Sequence, residues 1–320
     1  SSAASDVYKR QPLNEVLIDE TIATSNELTN KSSIISNDLE KYYKDDKGFC
    51  ATFYNENGTP LTNKNITFSV NGVSYIKTTD NNGTTKLNIN LESGNYTIIS
   101  YNPITNETIT NNITVLSSIN SSDLTKYFKN ATQYSVTLYD KTGKALVNKT
   151  VRFNINGIFY ERKTNEKGVA QLNINLDPGN YIVTVYNLIT GEEKSNNINV
   201  VSRIQLLDLN NASNVILPEG YVIPVMFIGN GKAYAQCRAT TLDEKGNPLA
   251  NQLVTFNING IIYKGTTDKF GIIDAIIYVN ADWGNTYHIC TATFGESFAS
   301  QTVIVKRFVM GCLLYTSDAA

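Results

Sequence analysis

The chain has 320 residues, 41% of them hydrophobic and 18% charged, and its formal net charge is −2. This length suits two or three domains, and the apolar fraction is that of a folded protein. The small net charge argues against nucleic-acid binding, no apolar run is long enough to cross a membrane, and the single histidine, His288, nearly excludes histidine-built metal sites and triads.

Both ends of the chain are expected to lie outside the fold. Residues 1–11 read SSAASDVYKRQ and residues 312–320 read CLLYTSDAA, and both strings resemble translated sequencing-adapter sequence. We therefore interpret them as artefactual tails. Residues 12–35 are interpreted as the end of a preceding repeat or as a linker.

A repeat of 85 residues dominates the rest of the chain. The segment that starts at Phe49 recurs at Tyr134, and the leader NDLEKYYK at Asn37 recurs as SDLTKYFK at Ser122. A third copy, near Cys237, lacks this leader and follows 18 additional residues. Self-similarity of this kind indicates tandem domains. The predicted domains are 36–118, 119–202 and 203–311.

Within each copy, apolar and polar residues alternate with period two, as Ile66, Phe68 and Val70 show in the first. Such alternation predicts antiparallel strands with one face in the core and one in water. Each alternating segment ends in Asn-Gly, which predicts a tight hairpin because both residues tolerate positive φ. These pairs are Asn71-Gly72, Asn156-Gly157 and Asn259-Gly260. With about seven short strands per copy, the chain is predicted to be all-β, with tandem immunoglobulin-like β-sandwich domains.

A second pattern near the end of each copy sharpens this prediction. An acidic residue, a glycine and a tyrosine recur there in the pattern acid-x-Gly-x-Tyr. This pattern is typical of a tyrosine corner, in which the tyrosine bonds back to the preceding chain. The tyrosines are Tyr96, Tyr181 and Tyr287, and the third copy has one residue inserted before its tyrosine.

Three cysteines remain once Cys312 is assigned to the tail. Cys237 aligns with inward positions of the second strand, and Cys290 follows the corner tyrosine by three residues. These are the positions of the inter-sheet disulfide in immunoglobulin domains, so Cys237 and Cys290 are a candidate pair. Two buried free thiols are the alternative. Cys50 aligns with outward positions and is predicted to be an exposed, unpaired thiol.

The sequence shows no catalytic motif, and we predict neither an enzyme nor a cofactor or metal site. The Asp-x-x-Gly strings are more typical of turns than of calcium loops, because three carboxylates never converge in one of them. An isopeptide bond between a lysine and an asparagine stays open as an alternative, although no Lys, Asn and acid trio recurs in all three copies.

Asparagine makes up 41 of the 320 residues, and eleven of these lie in N-x-[ST] glycosylation motifs. Either an Asn- and Thr-rich chain forms such motifs by chance, or some of them carry glycans on exposed loops and strand faces. The candidates are Asn30, Asn57, Asn65, Asn82, Asn95, Asn106, Asn112, Asn120, Asn130, Asn148 and Asn211.

The leader, the hairpin and the corner, in this order and spacing, resemble the immunoglobulin-like repeats of large adhesin-like surface proteins of methanogenic archaea. The resemblance is good over residues 36–202 and weaker over 203–308. It implies a long, glycosylated, cell-surface stalk of tandem modules.

We therefore expect a non-catalytic, extracellular, adhesin-like protein whose modules act as spacers for cell adhesion. Surface glycans or proteins of other cells are its expected partners, without nucleic acid and without membrane insertion of this segment. In one alternative the modules themselves bind carbohydrate or a host protein, and in another they are accessory modules of a surface enzyme. The aromatic residues considered for binding are Phe159, Tyr160, Tyr221 and Phe227.

Overall fold

The structure is a computed structural model that describes residues 32–208, 216–217, 222–229, 232–280 and 287–304. These residues form strands and turns and contain no helix, which confirms the predicted all-β fold. It follows that no described segment is a helix that could span a membrane. The predicted tails at 1–11 and 312–320 lie outside the described residues.

The first module consists of two facing groups of strands. The smaller sheet has the order β1-β3-β6, and the larger has the order β2-β8-β7-β4-β5. The strands are β1 (Ile34–Ser36), β2 (Leu39–Tyr42), β3 (Gly48–Phe53), β4 (Asn65–Val70), β5 (Val73–Thr78), β6 (Thr84–Asn88), β7 (Gly94–Tyr101) and β8 (Thr108–Leu116). Because Ile34 and Ile35 pair with β3, the module begins before residue 36, where the sequence placed its boundary.

The second module repeats this arrangement strand for strand. Its sheets have the orders β14-β11-β9 and β10-β16-β15-β12-β13. The strands are β9 (Ile119–Asn120), β10 (Leu124–Tyr127), β11 (Gln133–Leu138), β12 (Thr150–Ile155), β13 (Ile158–Lys163), β14 (Val169–Asn173), β15 (Gly179–Asn187) and β16 (Glu192–Val201). The leader strand β10 runs parallel to the last strand, β16.

The third module reaches a similar arrangement by a different route. Its strands are β17 (Ile204–Leu207), β18 (Val222–Gly229), β19 (Lys232–Thr241), β20 (Leu253–Ile258), β21 (Ile261–Thr266), β22 (Ile272–Asn280), β23 (Tyr287–Phe294) and β24 (Ser297–Ile304). Strand β18 pairs in parallel with the last strand, β24, and antiparallel with β19. The additional residues thus supply a substitute for the missing leader strand.

Alternation along the strands places one large residue of each central strand in the core. Phe68, Phe153 and Phe256 occupy equivalent positions and are each 0% exposed. The hairpins that follow them turn through Asn-Gly, and Asn156 and Gly157 have φ values of 52° and 80°. Positive φ at both central residues matches the right-handed twist of the flanking strands, which explains why this dipeptide recurs.

The chain divides into two compact units. The first contains the described residues up to Glu40 together with Asp46–Thr114, and the second contains Lys41–Asp45 together with the described residues from Val115 onward. The second and third modules therefore lie in one unit, which also includes the end of the first leader.

Candidate functional site: the leader contacts of the second unit

The lysine of each leader is buried, which is unusual for a residue of its charge. In the second module Lys126 is 5% exposed, and its Nζ donates hydrogen bonds to the carbonyl oxygens of Thr132 (3.1 Å) and Ile174 (2.9 Å). Burial lowers the pKa of Lys126. Lys41 is buried in the same way and donates to the carbonyl oxygen of Asp45 at 2.5 Å. The leader lysine thus fixes the leader to main-chain carbonyls.

A sharp turn follows the leader strand. Lys129 has a φ of 62°, the amide of Asn130 donates to the carbonyl of Tyr127 at 3.0 Å, and the amide of Phe128 donates to Val201 at 2.9 Å. Because side chains of a strand alternate, Tyr127 points away from the side on which Lys126 is buried. Its ring is therefore available for a contact outside the core of the second module.

That contact is made with a tight turn of the third module. The Oδ1 atom of Asp243 accepts hydrogen bonds from the amides of Lys245 and Asn247, both at 2.8 Å, and the side chain and amide of Asn247 lower the pKa of Asp243. Gly246 has a φ of 87°, and a methyl group built on it would overlap the ring of Tyr127. Only glycine combines this backbone with this approach.

Polar contacts surround the tyrosine. Asn130 Nδ2 donates to the carbonyl oxygen of Glu244 at 2.5 Å, and Lys129 forms an ion pair with Glu296. Both members of this ion pair are largely exposed, so it contributes little to stability. The tyrosine and the asparagine are the specific part of this contact.

The same contact occurs a second time in the second unit. A methyl group built on Gly143, whose φ is 85°, would overlap the ring of Tyr42. The rings of Tyr42 and Tyr139 lie with their centroids 5.8 Å apart. We call the packing of a leader tyrosine on the glycine of an Asp-x-x-Gly turn the leader contact. The sequence showed both motifs but did not predict that they meet.

A buried polar cluster was also missed by sequence reasoning. Glu192 is 3% exposed, and its Oε2 accepts hydrogen bonds from the amide and the hydroxyl of Ser118, both at 2.6 Å. Asn187 Nδ2 donates to the hydroxyl of Ser118 at 2.9 Å, and that hydroxyl lies 2.7 Å from Oγ1 of Thr190. The signal was present, since the same four residue types recur 85 positions earlier. They are Ser33, Asn102, Thr105 and Glu107.

The two candidate disulfide cysteines lie together in the core of the third module. Their Sγ atoms are 3.6 Å apart and both side chains are buried. The hydrogen bond with Cys290 and burial both raise the pKa of Cys237. The disulfide itself stays a prediction. Cys50 is exposed and unpaired.

Tyr96 and Tyr181 bond back to the chain, as the predicted tyrosine corner requires. The hydroxyl of Tyr96 donates to the carbonyl of Glu92 at 2.9 Å, and that of Tyr181 donates to Asp177 at 2.8 Å. Tyr287 differs, because it is 69% exposed and lies opposite Ile304.

The inserted residue accounts for the position of Tyr287. It shifts Tyr287 by one place along β23, so that His288 takes the position opposite Val303 that Tyr181 takes opposite Ile198. The same shift turns Cys290 into the core, at the place of the buried Val183. The prediction that Tyr287 forms the third tyrosine corner is therefore wrong, because the register of β23 places His288 at the position that Tyr181 has in the second module.

Nine of the eleven glycosylation candidates are described, and Asn30 and Asn211 lie outside. Asn130 is half-buried and its Nδ2, the atom that would carry a glycan, is bonded to Glu244. Asn112 is exposed, but its Nδ2 donates to Asp38 at 3.2 Å. The other seven candidates are exposed: Asn57, Asn65, Asn82, Asn95, Asn106, Asn120 and Asn148.

The aromatic residues considered for ligand binding have different environments. Phe159 is 57% exposed, lies 6.2 Å from the ring of Tyr186, and has the guanidinium of Arg152 5.9 Å from its ring centre. Tyr160 instead packs against the core of the second module. Tyr221 and the side chain of Phe227 lie outside the described residues.

The described residues contain no group of three His, Cys, Asp or Glu side chains that could hold a metal ion. The Asp-x-x-Gly turns use their carboxylates on their own backbone, as Asp140 does with the amides of Thr142 (2.8 Å) and Lys144 (3.0 Å). These carboxylates close turns.

No model of a known protein family matches the chain, and no curated protein matches it. Among solved structures it is similar to an adhesin, stabilised by Ca²⁺, that helps an Antarctic bacterium bind ice (15% identity, 85% of this chain and 72% of that chain covered, TM-score 0.20). It is also similar to the bacterial integrin-binding protein invasin (12%, 85% and 59%, 0.23) and to the FN1–FN3 domains of chicken CNTN1 (10%, 86% and 99%, 0.24). Likeness at this level carries no conclusion about what this chain does.

Proposed function

We propose that this chain is a non-catalytic, adhesin-like segment of a cell-surface protein, in which tandem modules act as a spacer. The observation that carries the proposal is the leader contact between Tyr127 and Gly246. It fixes the end of one module on a turn of the next by a side chain that has no other use in its own core. A spacer needs modules that hold a fixed relative orientation. The packing of Tyr127 on Gly246 supports such an orientation for the second and third modules.

Other features support an extracellular setting. Eight described glycosylation motifs have exposed asparagines, and in seven of them Nδ2 is not bonded to an acidic side chain. The buried polar groups that we describe hold loops in place. Catalysis is not expected from these groups, because the cysteine pair lies in the core and the carboxylates of the turns bond to their own backbone.

The test compares the motion of the second and third modules in the full chain. Amide nitrogen relaxation should give both modules the same rotational correlation time. In Tyr127→Ala each module should have its own, shorter rotational correlation time. Tyr127→Phe keeps the ring and should behave as the unmodified chain. Independent motion in the unmodified chain would refute the proposal.

One cluster of side chains favours a second function. In this alternative the second module itself binds carbohydrate. The exposed ring of Phe159 and the half-buried ring of Tyr186 form an aromatic surface beside Arg152, whose guanidinium is paired with Glu161 at 3.0 Å. The apolar faces of sugar rings stack on aromatic surfaces of this kind. The first and third modules carry Ser74 and Ile262 where the second has Phe159. Binding to a glycan array should be abolished by Phe159→Ala and kept by the matched variant Ile262→Ala.

A further inference from the structure

The first module carries a copy of the surface on which the leader tyrosines dock, and none of the described residues covers the glycine of this copy. In the turn 55–59, Asn55 Oδ1 accepts hydrogen bonds from the amides of Asn57 (3.0 Å) and Thr59 (2.9 Å). The amide of Gly58 donates to the carbonyl of Asn55 at 3.0 Å, and Gly58 has a φ of 74°. The turn 243–247 has the same bonds in the same places.

The turn at Gly58 differs from the turns at Gly143 and Gly246 in the side chain that covers the glycine. Gly143 and Gly246 are half-buried, and a methyl group on either would overlap a leader tyrosine. Gly58 is exposed, and no atom in the described part of the chain lies within 4 Å of a methyl group built on it. Tyr54 stands beside this turn as Tyr139 stands beside its own, since both form an isolated bridge across the turn.

We propose that Tyr54 and the turn 55–59 bind the leader of a further copy of the module, placed before the first. The leader that fits best has the form Tyr-x-Lys-Asn, as in Tyr127 to Asn130. Glu56 stands where Glu244 stands, and the carbonyl of Glu244 is the acceptor for Asn130. The proposal rests on the proposed spacer function and extends it to a partner, which is a second copy of this repeat.

The experiment extends the full chain by a second copy of residues 117–201, inserted directly before Ser32 and produced in a host that adds no glycans. The new junction reads Val-Ser-Ser-Ile, much as the natural junction reads Leu-Ser-Ser-Ile at Leu116 to Ile119. Hydrogen exchange, measured on the peptide 54–59, should slow at least about threefold on extension, because docking protects the turn.

Two variants of the extended chain make the result specific. Replacing the tyrosine of the added leader with alanine should restore the faster exchange, and so should Gly58→Ala, whose methyl group occupies the place of the ring. Replacing that tyrosine with phenylalanine should leave the slow exchange unchanged. Exchange that does not slow on extension would overturn the proposal.

A parallel measurement keeps this outcome distinct from failure of the spacer function. In the unextended chain, Tyr127→Ala should speed exchange in the peptide 243–247. If it does so while extension leaves the peptide 54–59 unchanged, only the docking proposal fails. If Tyr127→Ala has no effect, the spacer proposal fails as well.

Discussion

At the residue scale, the predicted disulfide between the two buried cysteines of the third module can be tested directly. Cys237 and Cys290 lie 53 positions apart, and a bond between them would raise the free energy of unfolding by about 4 kcal/mol through the smaller entropy of the unfolded chain. We expect mild oxidation to lower the intact mass by about 2 Da and to raise the melting temperature of the third module.

Two variants identify the cysteines responsible. The mass change should persist in Cys50→Ser, because Cys50 is exposed and outside the core. It should disappear in Cys237→Ser. A mass change that survives in Cys237→Ser would assign the bond to other cysteines.

The carboxylate of Glu107 couples the stability of the first module to pH. Burial alone would raise the pKa of Glu107, but hydrogen bonds from the side chains of Ser32 and Ser33 and from the amide of Ser33 lower it below its ordinary value. A depressed folded-state pKa adds stability above the unfolded-state value, and this stability is lost as the pH falls through the folded-state pKa.

We therefore expect Glu107→Gln to cost about 1 kcal/mol at pH 7, a value reduced for the partial exposure of the group. The difference from the unmodified chain should shrink as the pH falls through the depressed folded-state pKa of Glu107, because the carboxylate of the unmodified chain is then protonated as well. Urea unfolding over a series of pH values measures this change. The control is Glu56→Gln, which removes a carboxylate from an exposed turn of the same module.

At the element scale, three equivalent turns separate backbone strain from the leader contact. Gly58, Gly143 and Gly246 all have positive φ, but within the described part of the chain a tyrosine ring packs on the last two and not on Gly58. Gly58→Ala should cost about 1–2 kcal/mol, the strain of a left-handed conformation. Gly246→Ala should cost about 1–3 kcal/mol more, because its methyl group displaces Tyr127.

A double-mutant cycle isolates the contribution of the ring. In a Tyr127→Ala background, Gly246→Ala should cost no more than Gly58→Ala does, since no ring is left to displace. Thermal unfolding of the four chains measures the coupling. Equal costs of Gly246→Ala in both backgrounds would show that Tyr127 does not pack on this turn.

The strands and hairpins were predictable because each rests on a local rule. Alternation about Phe68 and the Asn71-Gly72 turn requires no knowledge of distant residues. The substitute strand β18 could not be predicted, since it includes Pro224 and lacks a clear alternation. The position of Tyr287 could not be predicted either. One inserted residue shifts the following strand by one place unless a bulge accommodates the inserted residue.

The leader contact was unpredictable for a related reason. Its two halves lie 101 residues apart for Tyr42 and Gly143, and 119 residues apart for Tyr127 and Gly246. Neither half has an unusual composition. The leader lysine was visible in the sequence, but its burial depends on the carbonyl oxygens of Thr132 and Ile174, which only the fold brings together.

At the scale of the whole molecule, packing rather than charge should hold the second and third modules together. The ion pair of Lys129 and Glu296 is exposed at both ends and is worth about 0–1 kcal/mol, less at high salt. Raising the salt from about 0.1 to about 1 M shortens the screening length from about 10 to about 3 Å, which weakens this pair. The ring of Tyr127 on Gly246 is not affected in this way.

We therefore expect the shared rotational correlation time of the two modules to persist in about 1 M NaCl, where exposed pairs are screened. It should also persist in Lys129→Ala and be lost in Tyr127→Ala at either salt concentration. Amide nitrogen relaxation on the full chain distinguishes these cases. If salt or Lys129→Ala separated the modules, the ion pair would be the main link, and the spacer would be rigid only at low ionic strength.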